Sequence, residues 1–354
     1  MECVLTEPLY LDHAATTPMT RAAVQAVRDG MAMWANPSSP HAAGRAARAA
    51  LEAARGRIGA AYGWSGEVLL TSGASESLAI ALARCTARRR IVSAVEHDAV
   101  LRAAGRADVV PIDALGRVDP AALGDVADAL VAVQWCNSET GVRQPIAAIA
   151  TAVHEGGGLL LVDAAQMPAL DELAAVADFV AVSAHKRGGP PGTGALLVRD
   201  VATLHPSGGQ ERGYRPGTEN LPGVLGHAAA LDEAEPDHGV RRARLDDAIR
   251  RSGGIVVAEE TARHPAIGAY RMPGVASAAQ LIRFDMQGIA VSAGSACASG
   301  SLKPSHVLRA MGWSEEATRE VVRVSFGRTT TDADVERFIA AWRGVARATG
   351  RFAA

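Results

Sequence analysis

Lysine is nearly absent from this chain, and one of its two lysines stands where an amine could do chemistry. Of 36 lysine and arginine residues, only Lys186 and Lys303 are lysine, and the other 34 are arginine. Only lysine can lose its proton near neutral pH and attack a carbonyl, because the arginine guanidinium stays charged. Lys186 follows the apolar run Phe179–Ser183 and precedes a segment rich in proline and glycine, which favours a position in a cleft. Chance survival in an arginine-rich genome is the alternative for both lysines.

Three further polar groups follow apolar runs and could serve the same ligand. The segment Thr71–Ser77 consists mostly of small and hydroxyl residues and runs into the start of a predicted helix. Free N–H groups and the helix dipole at a helix start suit a phosphate. An ordinary serine helix cap is the alternative there. His97 follows the run IVSAV, where a lone histidine is usually structural. Asp163 ends another run, where a carboxylate either caps the next helix or keeps a pyridinium nitrogen protonated.

A phosphate cradle, an imidazole, a carboxylate and a lysine are together what pyridoxal phosphate requires. The lysine forms a Schiff base, the carboxylate keeps the ring an electron sink, and the imidazole can stack on the ring. Each of these four groups has an ordinary structural explanation by itself, but four such explanations in order along one chain are much less probable than one cofactor site. The sequence therefore predicts an enzyme that uses pyridoxal phosphate.

Cys297 is the candidate nucleophile, because it lies in the small-residue segment VSAGSACASGSLKPSHVL with nothing large to bury it. A reactive cysteine needs exposure and a setting that favours the thiolate, and a flexible loop would let its sulfur travel to a substrate. Cys85 and Cys136 are expected to pack in the core, and Cys3 is terminal and uninformative. Lys303 could favour the thiolate, or it could be an ordinary solvated base.

The composition excludes several classes of protein. A net charge of -2 with 21% charged residues provides no basic field for nucleic acid or anionic lipid. The apolar runs, such as Leu78–Ala83, are far shorter than the ~20 residues that span a membrane. The acidic N-terminus lacks a signal-peptide pattern, and the four cysteines show neither metal-ligand spacing nor a disulfide framework. We therefore expect a reduced, cytoplasmic protein that binds neither nucleic acid nor membrane.

Alternating elements in the middle of the chain are expected to position these residues. The predicted strands are Glu67–Leu70, Arg90–Val95, Val109–Ile112, Leu130–Trp135, Leu159–Val162, Phe179–Ser183 and Ala195–Val198. The predicted helices are Ser75–Cys85, His97–Ala104, Pro120–Ala129 and Ala147–Glu155. Short buried strands separated by helices indicate an α/β fold with a mostly parallel seven-stranded sheet between helices. Ligands bind beyond the carboxyl ends of such strands, where the candidate residues lie.

The pattern changes after about residue 225. Predicted helices there are Leu225–Glu235, Val240–Arg251, Ser305–Met311 and Asp332–Ala348, and predicted strands are Gly254–Val257, Ala266–Arg271 and Ile289–Ser292. We expect a large cofactor-binding domain at residues 16–240. Residues 1–15 and 241–354 would form a smaller α+β domain that carries the mobile loop of Cys297.

Ten segments in order resemble those of the cysteine desulfurases of the NifS/IscS type, in the class V aminotransferase family. They are Tyr10–Pro18, Ala35–Gly44, Thr71–Ser77, Glu96–Leu101, Asn137–Ile146, Val162–Gln166, Ser183–Leu196, Gly208–Asn220, Gly294–Gly300 and Val322–Thr331. The resemblance runs nearly end to end, and it implies the type I fold of transferases that use pyridoxal phosphate.

The resemblance implies a role for each matching residue. Lys186 would hold the cofactor and then move the Cα proton, His97 would stack on the ring and assist proton transfer, and Asp163 would pair with the ring nitrogen. The other cofactor contacts would come from Ala74, Ser75, Ser138, Gln166, Ser183, His185 and Thr218. Thr218 would reach the phosphate of the neighbouring subunit, which implies a homodimer.

The implied reaction takes sulfur from L-cysteine and leaves L-alanine. Asn36 and Arg323 would bind the substrate carboxylate, because the arginine fork matches a carboxylate bidentately. Cys297 would attack the substrate sulfur, hold it as a persulfide and pass it to an acceptor protein, for iron–sulfur clusters or thiolated products. No resident metal is expected, although Cys297 could transiently ligate an iron–sulfur cluster.

Three departures from the family pattern qualify these roles. Ser138 stands where the family usually has asparagine, so one contact to the phenolic oxygen is lost or bridged by water. The segment LAIALA lacks the polar residues common there, and the chain ends without the segment that docks an iron–sulfur scaffold in long desulfurases. The alternatives are a selenocysteine lyase, a cysteine lyase that releases sulfide, and a catalytically weakened regulatory homologue, which only Ser138 supports.

Overall fold

The computed structural model describes residues 8–294 and 304–348 of the 354-residue chain. The strands are β1 (Leu9–Tyr10), β2 (Glu67–Thr71), β3 (Arg89–Ser93), β4 (Asp108–Val110), β5 (Ala129–Gln134), β6 (Leu159–Asp163), β7 (Phe179–Ser183), β8 (Gly194–Val198), β9 (Ile255–Val256), β10 (Ile267–Arg271), β11 (Ile289–Ala290) and β12 (Val321–Ser325). The α-helices are α1 (Arg21–Ala32), α2 (Ala42–Ala61), α3 (Ala74–Arg84), α4 (Asp98–Ala104), α5 (Ile146–Glu155), α6 (Leu221–Leu231), α7 (Gly239–Arg251), α8 (Ser277–Asp285), α9 (His306–Ala310), α10 (Glu315–Thr318) and α11 (Asp332–Ala348).

Seven strands form one sheet in the order β2-β8-β7-β6-β5-β3-β4. Strands β3 to β7 run parallel to one another, and β8 is antiparallel to both of its neighbours. The predicted mostly parallel seven-stranded sheet is therefore confirmed. Strand β8 reverses direction because only ten residues join it to β7, whereas a parallel neighbour needs a longer crossover that is usually helical.

Strand β5 shows how the sheet is covered on both faces. Val131 and Val133 pack in one apolar cluster with residues of α2 and α5. Leu130 and Ala132 pack in a second cluster with residues of α3 and α4. Because successive side chains of a strand point to opposite faces, a strand buried on both sides reads as a continuous apolar run. Cys136 lies in the first cluster and Cys85 in the second, as predicted.

A separate apolar cluster lies outside this sheet. It joins Leu9 and Leu11 to side chains of α7, α8 and α11, among them the fully buried Trp342. Around it, β12, β10 and β9 form an antiparallel sheet, and β1 pairs in parallel with β11. The N-terminal strand thus packs with the C-terminal third of the chain. The domain boundaries at residues 15 and 240 stay predictions.

Two predicted helices differ from the observed ones. Pro120–Ala129 forms only the 3₁₀ turn Pro120–Leu123, because Gly124 adopts a φ of 68° that ends the turn. The helix predicted at Leu225–Glu235 is α6, which starts earlier at Leu221, where the Asn220 side chain accepts from the Gly223 N–H at 3.1 Å. Helices α1 and α2 and strand β12 are not among the predicted elements. No helix in the described ranges has the length and apolar character needed to cross a bilayer.

Candidate active site

A cavity of about 780 Å³ opens at the carboxyl ends of the parallel strands. Nine of the predicted site residues line it, namely Ala74, Ser75, His97, Ser138, Asp163, Ser183, His185, Lys186 and Arg323. Several of them follow β2, β3, β6 or β7 directly, so the sheet delivers them to one edge. Residues that are far apart in the sequence therefore converge because the strands that precede them are parallel neighbours.

The N-terminus of α3 forms one end of this cavity. The residue before the helix is Gly73, whose φ of 151° favours glycine and which provides no side-chain cap. A β-carbon at Gly194 on β8 would come within 2.5 Å of the Gly73 Cα, so the strand passes directly beneath the turn. The helix cap by Ser72 or Ser75 that the sequence left open is not formed. The first turn of α3 and its hydroxyls fit a phosphate group.

Asp163 places a buried carboxylate deeper in the cavity, at the end of β6. Only 9% of the residue is exposed, and its Oδ1 accepts a hydrogen bond from the Ala165 N–H at 2.9 Å. A buried carboxylate is stable when it pairs with a cationic donor. The position therefore suits the protonated ring nitrogen of a pyridine.

His97 caps α4 with its own ring. Its Nδ1 accepts from the Ala99 N–H at 3.1 Å, which leaves the proton of the neutral ring on Nε2. Burial lowers the pKa of His97, Lys186 lowers it further, and Asp163 opposes both. His97 is therefore a neutral imidazole that carries its ring proton on Nε2.

Lys186 ends the turn Ala184–Lys186, which follows β7. The turn is fixed because the Ala184 N–H donates to the Thr193 carbonyl at 3.0 Å and the Gly189 N–H donates to the Ala184 carbonyl at 2.9 Å. The next residue, Arg187, is also held, since its guanidinium donates to both carboxylate oxygens of Glu235 at 2.7 and 2.8 Å. The backbone on both sides of Lys186 is thus well defined.

His185 faces the phosphate end of the cavity beside Ser183. Burial, Lys186 and Arg187 lower the pKa of His185 to about 4, so its ring is neutral at pH 7. Its Nδ1 lies 3.1 Å from the Thr16 hydroxyl, which leaves Nε2 for a ligand. The two side chains together provide neutral hydrogen-bonding groups for a phosphate oxygen.

Arg323 on β12 forms the opposite wall of the cavity. Only 5% of it is exposed, and its two terminal nitrogens donate to Asp12 Oδ1 at 2.6 Å and to the Ser138 carbonyl at 2.9 Å. A buried guanidinium in this position suits the carboxylate of a small substrate. The Ser138 backbone thus contributes by holding Arg323 in place.

Three predicted site residues in the described part of the chain do not line this cavity. Asn36 is exposed, and its side-chain oxygen accepts from the Ser38 N–H at 2.8 Å. Thr218 is also exposed, while Gln166 is buried and lines a smaller neighbouring cavity. Cys297 lies outside the described residues. The roles expected of these four residues stay predictions.

The cavity also contains polar residues to which the sequence analysis assigned no role. Glu96 is fully buried, and burial raises the pKa of its carboxyl to about 8. Its Oε1 accepts from the Ser93 hydroxyl at 2.5 Å and from the Gln134 N–H at 2.9 Å. His306 donates from Nε2 to the Glu96 carbonyl at 2.9 Å. The signal for Glu96 was present in the sequence, as an acid that follows a buried strand.

Comparison with known proteins identifies the family. The model of the family described as aminotransferase class-V matches residues 9–338. The chain belongs to this family. The class-V enzyme is 36% identical over 371 residues to the cysteine desulfurase of Gluconacetobacter diazotrophicus, covering 95% of this chain and 93% of that one.

Two solved structures are similar to this chain. A NifS-like protein from Rickettsia africae has a TM-score of 0.86 and 27% identity, over 96% of this chain and 100% of that one. The structure described as SspA in complex with cysteine has a TM-score of 0.79 and 27% identity, over 91% and 100% of the two chains. The predicted family and type I fold are confirmed.

The cofactor of this class-V enzyme is pyridoxal phosphate, as predicted. The described residues fit it, because the N-terminus of α3 suits the phosphate and Asp163 suits the ring nitrogen. Lys186 and the neutral ring of His97 line the same cavity, so an amine and an imidazole are present there. When bound, the cofactor withdraws electrons from the Cα of an amino-acid substrate.

Proposed function

We propose that this chain is a cysteine desulfurase, which removes sulfur from L-cysteine to give L-alanine and an enzyme-bound persulfide on Cys297. The observation that carries the proposal is the convergence of Lys186, Asp163, His97 and Arg323 on one cavity. The similarity to the desulfurase of Gluconacetobacter diazotrophicus and to a structure that contains cysteine supports the substrate.

The chain's own residues divide the work of this reaction. Arg323 binds the substrate carboxylate and so fixes which Cα bond faces the cofactor. The Lys186 amine would hold the cofactor and would take the Cα proton of the substrate. The His97 ring would lie against the cofactor and would assist proton transfer through Nε2, since its Nδ1 accepts the hydrogen bond of the helix cap.

Cys297 accepts the sulfur in the transfer step. Its thiolate attacks the substrate sulfur, so that a sulfur–sulfur bond forms while the bond between sulfur and Cβ breaks. The electron pair of the broken bond stays with the substrate, and Cβ then takes a proton. One cysteine and one thiol thus become one alanine and one persulfide, and no other oxidant or reductant is consumed.

The remaining assignments form part of the same proposal. Residues 16–240 make the large domain, and residues 1–15 with 241–354 make the small one, which is supported by the apolar cluster that Leu9 shares with α11. Thr218 serves the phosphate of a neighbouring subunit in a homodimer, and its exposure in a single chain supports this role. The persulfide sulfur goes to an acceptor protein in the cytoplasm.

The test is alanine formation from L-cysteine by purified protein in the presence of a reductant. Wild type is expected to be yellow and active, Lys186→Ala to be colourless and inactive, and Cys297→Ser to be yellow and inactive. Lys303→Arg and Cys3→Ser are the matched controls, and both should keep colour and activity. A colourless wild type would overturn the cofactor assignment. Sulfide release by Cys297→Ser at the wild-type rate would instead indicate a lyase.

A further inference from the structure

A second, smaller cavity lies behind Lys186. Its volume is about 40 Å³, and Lys186 lines both this chamber and the large cavity. Gln166, Arg187, His238 and Arg328 also line it. The chamber therefore sits between the residues that flank the catalytic amine and residues that lie near or beyond the proposed domain boundary.

Four buried polar atoms of these side chains have no hydrogen-bond partner among the described residues. They are Gln166 Oε1, Arg187 Nε, His238 Nδ1 and Arg328 Nε. Three of the residues are more than nine-tenths buried, with 4% of Gln166, 7% of Arg187 and 3% of His238 exposed. Buried polar atoms in native proteins almost always have a partner, so four around one small chamber point to a shared ligand.

Three of these side chains are held by hydrogen bonds from their other polar atoms. The Gln166 amide nitrogen donates to the Ala14 carbonyl at 2.9 Å, which fixes Oε1 as its unpartnered atom. Arg187 uses Nη1 on Glu235, and Arg328 donates from Nη1 to the Arg187 carbonyl at 2.9 Å. Gln166, Arg187 and Arg328 are therefore each held by one group, while Gln166 Oε1 and the two Nε–H groups have no protein partner.

The four unpartnered atoms include both donors and acceptors, which restricts the ligands that can bind in the chamber. The Nε–H groups of Arg187 and Arg328 need an acceptor, whereas Gln166 Oε1 needs a donor. Burial lowers the pKa of His238 to about 4, so its neutral ring adds one more donor or acceptor. A simple anion cannot donate to Gln166. The chamber is lined by two guanidinium groups and one carboxylate, Glu235, whose two oxygens already accept from Arg187, so the remaining positive charge repels a cation. Water can do both, and at ~10–15 Å³ per molecule the chamber holds about three at most.

We propose that this chamber is a built water site, in which two or three ordered waters bridge Gln166 and Arg187 to His238 and Arg328. The waters hold Gln166 and the backbone next to Lys186 in position from behind. His238 is thus a positioning residue for the reaction. The site itself does not depend on the desulfurase assignment, but its effect on Lys186 rests on that proposed function.

The first test is a high-resolution crystal structure of the enzyme loaded with pyridoxal phosphate. Two or three water peaks are expected in the chamber, one of them within hydrogen-bond distance of Gln166 Oε1. A second crystal soaked in bromide should show no anomalous peak there. A chamber closed by direct contacts between the four side chains, or a bromide peak inside it, would overturn the proposal. Both outcomes are independent of whether the enzyme makes alanine.

The second test compares three variants in crystals and by the visible absorption of the bound cofactor. His238→Phe keeps the ring that packs on Phe326 at 5.5 Å but should lose at least one water and shift the absorption band. His238→Asn restores a polar atom near the Nδ1 position and should restore both. The control is His227→Phe, because His227 is fully buried and both of its ring nitrogens lack partners, but it lines neither cavity. Equal effects of His238→Phe and His227→Phe would refute the positioning role.

Discussion

The two walls of the large cavity are built from different parts of the chain. On one wall, which we call the sheet wall, Asp163 ends a strand of the seven-stranded sheet, and His97 and Lys186 each follow one. On the other, Arg323 comes from the three-stranded sheet, and an ion pair with Asp12 holds it. The first wall carries the groups that act on the cofactor, and the second carries the group that binds substrate. Substitutions on the two walls should therefore differ in their kinetic signatures.

The largest effect is expected on the sheet wall, from Asp163→Asn. An amide cannot balance the charge of a protonated ring nitrogen, so the cofactor becomes a weaker electron sink. We expect kcat for alanine formation to fall by roughly 10²-fold or more, the scale of a lost acid–base group. The KM for L-cysteine should change little. Asp200→Asn on the exposed surface is the control, and an equal loss there would indicate a general effect on folding.

A substitution on the opposite wall should change the KM for L-cysteine. In Arg323→Lys a single ammonium cannot hold Asp12, the Ser138 carbonyl and a substrate carboxylate together. A lost hydrogen bond to a charged group is worth about 1.5–3 kcal/mol, so the KM for L-cysteine should rise about 10- to 100-fold. Arg319→Lys, in an exposed ion pair with Glu315, should leave KM unchanged. A fall in kcat alone would place Arg323 outside substrate binding.

Glu96 lines the same cavity, and its buried carboxyl should make the free energy of unfolding depend on pH. Its pKa rises from 4.5 to about 8 on folding, so between these values the unfolded carboxyl is ionised while the folded one is protonated. Unfolding then releases a proton, and this group lowers the free energy of unfolding as the pH rises from about 4.5 to 8. Above pH 8 the effect is constant.

Glu96→Gln should remove that decline, because glutamine resembles the protonated carboxyl. Urea unfolding at several pH values should show the variant gaining stability relative to wild type as the pH rises through this window. Glu260→Gln, at an exposed position, serves as the control and should follow the wild-type profile. A constant difference between Glu96→Gln and wild type would mean that Glu96 is already ionised in the folded protein.

The smallest effect is expected from a substitution on the exposed side of α4, which follows His97. Arg102 forms an exposed ion pair with Asp98 on α4, four residues apart. Such pairs contribute about 0.3–0.5 kcal/mol, so Arg102→Gln should change the free energy of unfolding by no more than that. Alanine formation should not change. A loss of activity in Arg102→Gln would show that the charge of Arg102 influences His97, which caps the N-terminus of α4.

The sequence predicted the sheet wall better than the opposite wall, for a physical reason. Buried parallel strands are short apolar runs, so the polar residues that follow them are visible in the sequence. Strands β5 and β7 and the residues after them were located in this way. The antiparallel direction of β8 was not visible, since it depends on which strand lies beside it.

Other features depend on contacts between distant segments. The bond from His306 to the Glu96 carbonyl joins residues 210 positions apart, and neither residue has a local signature of that contact. Helices α1 and α2 are rich in alanine and arginine, and few large apolar residues mark their buried faces. The chamber behind Lys186 could not be predicted at all, because its four unpaired atoms come from four separate stretches of chain.

The most direct test of the central claim is the mass of the peptide that contains Cys297 after a single turnover with L-cysteine and no acceptor. The proposed mechanism predicts that this peptide gains one sulfur atom as one alanine is released, and that Cys297→Ser gains none. Alanine release without added sulfur on this peptide would contradict the persulfide mechanism.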